Sequence, residues 1–183
     1  RRPAMATSVL VTAVGNDILY CFSVERTLGW VEEVLRRLAR VTQDIVLTGL
    51  PLSSVSRLSQ IKFLAFRSML VPSCRLALSQ VIDRAEGVHE GLVKLSSVYG
   101  AKFFELDPVW YGFDPIHVRP SYWRAAWQEI LGERIRESQG TRSMLESARL
   151  YLMRPERRVI FGIEQVTPQS GVVLRSGGQV WLY

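Results

Sequence analysis

The sequence predicts the α/β class, with a parallel sheet whose strands are joined by helices. Three observations carry this. Apolar, β-branched or aromatic runs recur at 7–13, 44–49 and 101–106, and the near-continuous apolarity of the first suits a strand covered on both faces. Stretches with helical apolar spacing lie between the runs, and a strand–helix–strand succession folds into a right-handed parallel crossover. Each run ends in Gly, Pro, Asn or Asp, which stop strands in turns.

The first strand, 7–13, enters the polar turn Gly15-Asn16-Asp17. Over 23–40, Leu28, Val31, Leu35 and Leu38 fall at three- and four-residue steps while Glu32, Glu33, Arg36 and Arg37 face away, the pattern of an amphipathic helix. The second strand, 44–49, runs into Leu50-Pro51. Helices are expected over 56–70 and 76–99, separated by Val71-Pro72-Ser73, with Gly87 and Gly91 weakening the middle of the second. The third strand, 101–106, stops at Asp107-Pro108. Pro120 opens a helix over 121–131 with Trp123 and Trp127 on one face and Gly132 near its end. A further helix is expected over 141–153, then short strands at 159–161, 172–174 and 179–183 with a hairpin around Ser176-Gly177-Gly178. The expected organisation is therefore an α/β domain over 1–153 and a β-rich extension over 154–183.

The composition excludes several classes. A chain of 183 residues with 48% hydrophobic and 22% charged residues is neither disordered nor fibrous. The net charge is +6, but the basic residues, of which only Lys62, Lys94 and Lys102 are lysines, are scattered among 17 acids. With no basic block and no zinc-finger spacing, nucleic acid is not the expected partner. No apolar run reaches the roughly 18 residues of a membrane span, and no secretory leader is visible. Cys21 and Cys74, the two cysteines, supply neither a disulfide framework nor a metal site; both read as free, with nothing to bring them together. No glycine-rich phosphate loop occurs, which argues against a nucleotide or flavin binder. No metal or cofactor is expected.

Parallel strands joined by helices bring their carboxyl ends together, where open α/β sheets bind ligands. Gly15-Asn16-Asp17 and the loop from Asp107 to His117 follow two of those ends. Asp114 and His117 stand three apart, so the carboxylate can hold the imidazole in one tautomer and leave its other nitrogen as a base. Asn16 offers an amide donor for an oxyanion. Trp110, Tyr111 and Phe113 either line a substrate pocket or pack the core. His89, beside Glu90 in a helical stretch, reads as a solvated surface residue.

At these residues the chain resembles the SGNH (GDSL-type) hydrolases. Val14-Gly15-Asn16-Asp17 is similar to the family's Gly-x-Asn-Asp block, with Val14 in the place of the opening glycine, and Asp114-Pro115-Ile116-His117 is similar to its Asp-x-x-His block. The two blocks occur in family order, each after a strand, and the resemblance covers about 6–132. It implies a flavodoxin-like three-layer α/β/α sandwich with a parallel sheet. It also implies ester hydrolysis of a small-molecule substrate, with His117 as general base, Asp114 as its orienting partner and Asn16 in the oxyanion hole. The family's nucleophilic serine lies in a Gly-Asp-Ser block before these elements. No serine here has that setting, and Ser8 begins a strand at the opposite end of the sheet. The expectation is therefore an esterase or lipase whose first strands and nucleophile lie upstream of Arg1. The alternative is a binding module of the same fold that has lost its nucleophile.

Overall fold

The computed structural model describes residues 7–132, 144–154, 156–160, 163–167, 171–173 and 179–181. The chain divides into two compact units, residues 1–134 and 135–183. That division falls earlier than the expected boundary after 153, so the helix near 150 groups with the C-terminal strands rather than with the parallel sheet.

In the first unit, β1 (Ser8–Val11) pairs parallel with β2 (Asp44–Thr48), and β2 pairs parallel with β3 (Lys102–Phe104), in the order β1-β2-β3. The three strands are thus adjacent and parallel, as their helical crossovers require. Ile45, Val46 and Leu47 of the central strand are almost completely buried, which explains why β2 reads as a continuous apolar run instead of an alternating one. Ile45 and Leu47 belong to a core shared with Val31 and Leu35 of α2 (Val24–Leu38) and Val88 and Leu92 of α5 (Leu78–Tyr99). Val46 points the other way, into a second core with Trp110, Tyr111 and, from α6 (Trp123–Leu131), Ala126 and Ile130.

The helices follow from local signals. Ser23 caps α2 by accepting a hydrogen bond from the Arg26 N–H, worth about 1 kcal/mol. Helix α5 runs unbroken through Gly87 and Gly91; a Cβ on Gly91 would overlap Leu28 of α2, so that glycine lets the two helices approach. Gly100, at φ +63°, closes α5 in the left-handed conformation.

The helix expected over 56–70 starts later, as α4 (Gln60–Leu70), and a short α3 (Leu52–Ser56), which was not expected, precedes it. Ser59 sets the start of α4: its backbone is extended and its side-chain oxygen accepts from the Lys62 N–H, capping the helix. A short α1 (Asn16–Leu19) follows β1. Residues Pro120–Tyr122 form a 3₁₀ turn before α6, which ends at Gly132 with φ +53°.

The second unit contains α7 (Met144–Tyr151) and two antiparallel pairs, β4 (Arg157–Ile160) with β5 (Ile163–Val166) and β6 (Val172–Val173) with β7 (Gln179–Val180). Strand β5 was not expected; Ile163-Glu-Gln-Val166 is exposed at all four positions and carries no apolar run. The expected helical residues 141–143, the strand residues Phe161, Leu174, Leu182 and Tyr183, and the Ser176-Gly177-Gly178 turn lie outside the described residues.

Candidate functional site

The loops that leave β1, β2 and β3 at their carboxyl ends line one cavity of about 250 Å³. Thr12 to Asn16 come from the first connection, Gly49 to Pro51 from the second, and Leu106, Tyr111 and Asp114 to Val118 from the third. Helices α3, α4, α5 and α6 complete its wall.

Asp114 and His117 form the polar centre. Asp114 Oδ1 accepts hydrogen bonds from the Ile116 N–H at 3.0 Å and the His117 N–H at 3.1 Å, while Oδ2 lies 2.7 Å from His117 Nδ1. The tight Asp-Pro-Ile-His turn thus makes both partners from four consecutive residues. Burial pushes the Asp114 carboxyl upward, but the hydrogen bonds from the Ile116 backbone and from the His117 side chain and backbone outweigh it and leave the carboxyl below its ordinary value of 3.8. An ionised carboxylate only accepts, so in the neutral ring Nδ1 carries the proton and Nε2 keeps its lone pair. The pair is partly open to solvent, with His117 68% and Asp114 47% exposed.

Asn16 starts α1 and lines the same cavity as His117. Its turn is held from two directions. Ala13 takes a left-handed φ of 63°, uncommon for a residue with a side chain, and this redirects the chain from β1 into α1. Next to it, Thr48 donates to Thr12 at 2.9 Å, fixing the carboxyl ends of β1 and β2 together. Gly15, in the variable place of the resembling block, has ordinary right-handed φ and packs on Leu50, where a Cβ would come within 3.0 Å of Cδ2.

His89 is not a solvated surface residue. Its side chain is 14% exposed; Nδ1 accepts from the Leu50 N–H at 3.2 Å, and Nε2 lies 3.1 Å from Glu105 Oε1. A ring whose Nδ1 accepts carries its proton on Nε2, so His89 and His117 hold opposite tautomers. His89 connects α5 with both the Leu50 loop and the residue after β3. Sequence reading missed it because both partners are distant in sequence; the signal available was the match in register between a helical histidine and two strand ends.

The aromatic residues of the third loop divide. Trp110 is buried against Phe104, their rings stacked with centroids 6.1 Å apart. Tyr111 is buried yet reaches the cavity, and burial pushes its phenol up to about 12, so it stays neutral. Phe113 is exposed and meets Phe66 of α4 edge-on. Cys21 is exposed, with φ 65°, and contrary to expectation the fold brings it to Cys74: its Sγ lies 3.7 Å from that of buried Cys74, and both are free thiols. Ser8 bonds Asp44 at the amino ends of β1 and β2, away from the cavity. Among the described residues no serine lines the cavity, no group of His, Cys, Asp and Glu could hold a metal ion, and no helix is long and apolar enough to cross a membrane.

No protein-family model, curated protein or solved structure matches the chain.

Proposed function

We propose that residues 7–132 belong to an SGNH-type ester hydrolase with a flavodoxin-like three-layer α/β/α sandwich. The observation that carries this reading is the Asp114–His117 pair, hydrogen-bonded at 2.7 Å and sharing with Asn16 one cavity at the carboxyl ends of parallel strands. The order β1-β2-β3 is compatible with the last three strands of the flavodoxin-like order 2-1-3-4-5, and helices pack on both sheet faces.

In this reading the nucleophile is a serine supplied by chain outside 7–132. His117 Nε2 takes the proton from the serine hydroxyl as its oxygen attacks the acyl carbonyl. Asn16 donates a hydrogen bond to the resulting oxyanion, and Asp114 stabilises the imidazolium. The protonated Nε2 then gives its proton to the departing alcohol, and water releases the acyl group by the same sequence. The absence of a serine among the described cavity residues favours a second reading, a binding module of the same fold without hydrolysis.

An ester panel assayed on the protein made from its complete reading frame separates the two. The hydrolase reading expects turnover that falls by several orders of magnitude in His117→Ala and by about a hundredfold to a thousandfold in Asn16→Ala, both variants folded. Turnover unchanged in His117→Ala overturns it.

A further inference from the structure

His89 takes no part in the proposed mechanism, yet it holds the loop that leaves β2. Two consecutive N–H groups of that loop have partners on different elements. The Gly49 N–H donates to the Phe104 carbonyl at 2.9 Å, and the Leu50 N–H donates to His89 Nδ1 at 3.2 Å. Leu50 is 7% exposed, so removing its acceptor strands a buried N–H, and the loop shifts to recover a partner. The ring itself has little freedom. Glu105 accepts from Nε2 at 3.1 Å, Phe103 meets the ring edge-on with centroids 5.5 Å apart, and a Cβ on Gly49 would stand 2.8 Å from its Cε1.

Leu50 carries this placement to the site. Its side chain packs against Gly15, close enough that a Cβ there would lie 3.0 Å from Cδ2. Gly15 precedes Asn16, the first residue of α1, and no side chain caps that four-residue helix, so packing from its neighbours sets where it begins. Gly15, Asn16, Gly49 and Leu50 all line the cavity. We propose that His89 is a positioning residue: by accepting from the Leu50 N–H it seats Leu50 against Gly15 and so places Asn16 at the cavity. What Asn16 does once placed rests on the hydrolase reading; its placement does not.

Two substitutions in the complete protein divide the bonds of the ring. His89→Asn puts an amide oxygen where Nδ1 stands and keeps the Leu50 bond, whereas His89→Gln reaches Glu105 and leaves the Leu50 N–H without its acceptor. In ¹⁵N–¹H spectra the Leu50 backbone amide and the Asn16 side-chain amide are both expected to move in His89→Gln and to stay near their original positions in His89→Asn. A misplacement of about 1 Å costs up to about a hundredfold in rate, so ester kcat should fall at least about tenfold in His89→Gln with KM within about twofold, and recover to within about threefold in His89→Asn. An Asn16 amide that does not move with Leu50, or equal effects of the two substitutions, overturns the proposal. So does the absence of a ¹⁵N–¹⁵N coupling across the Leu50 to His89 hydrogen bond in the unsubstituted protein, whether or not His89→Gln folds. Amides that move as expected in a protein without ester turnover keep the positioning role and remove the hydrolase; turnover lost in His117→Ala but unchanged in His89→Gln does the reverse.

Discussion

Replacing Asp114 by Asn isolates the job of its carboxylate. The amide oxygen still accepts from the Ile116 and His117 N–H groups, which lie 3.0 and 3.1 Å from Oδ1, so the turn keeps its shape. Only the atom facing His117 Nδ1 changes, from an acceptor at 2.7 Å to an NH₂ group. Two donors then face each other, and the ring relieves this by moving its proton to Nε2. A hydrogen bond to a charged group is worth about 1.5–3 kcal/mol, reduced here to about 1–2 because the pair is solvent-screened. The Nδ1–H tautomer should fall about five- to thirtyfold relative to the other. Long-range ¹⁵N–¹H correlation spectra read this directly, because the chain has two histidines and His89 serves as an internal reference with its proton on Nε2. The expected spectrum shows opposite tautomers before substitution and matching ones in Asp114→Asn. His117 already protonated on Nε2 in the unsubstituted protein, or unmoved by the substitution, would refute the reasoning.

Other outcomes follow from the same geometry. Gly49→Ala puts a Cβ 2.8 Å from His89 Cε1 and 3.0 Å from Phe103 Cζ; both are rings with little room to move, so urea unfolding should show a loss of about 1–3 kcal/mol, and a neutral effect contradicts the packing. Leu35→Ala, at a position with no exposed surface, should cost about 2–5 kcal/mol in the same assay. Cys21 and Cys74, with sulfurs 3.7 Å apart, should both titrate as free thiols in the reduced protein. They should join in one intramolecular disulfide on treatment with diamide, seen by mass spectrometry after proteolysis; mixed or intermolecular products alone would contradict that placement. Because the folded Asp114 carboxyl lies below its ordinary value of 3.8, its stabilising contribution is complete above that value and fades as pH falls through the lower folded value. Asp114→Asn should flatten that part of the acid-stability profile, and an unchanged profile would count against the hydrogen bonds drawn here.

The sheet was legible because its signals are local. The runs that became β1, β2 and β3 are apolar over consecutive residues, and helical spacing at Leu28, Val31 and Leu35 gave α2. Asp114 and His117 were legible for the same reason, being joined by a turn of four residues. What escaped reading depends on distance in sequence. The His89 contacts with Leu50 and Glu105, and the meeting of Cys21 with Cys74, exist only after α5 and the Val71–Cys74 turn have packed. The later start of α4 was visible in principle at Ser59, its N-cap, but a serine among Leu58, Ile61 and Phe63 is easily read as the polar face of a helix that begins at 56.

The central claim is that His117, held by Asp114, activates a serine at this cavity. Reaction of the complete protein with a fluorophosphonate, which labels only activated serines, tests it most directly. The account predicts a single labelled serine, identified by peptide mass spectrometry, with labelling abolished in His117→Ala and blocked by an ester substrate. No labelled serine in the folded protein, or labelling that persists undiminished in His117→Ala, would contradict it.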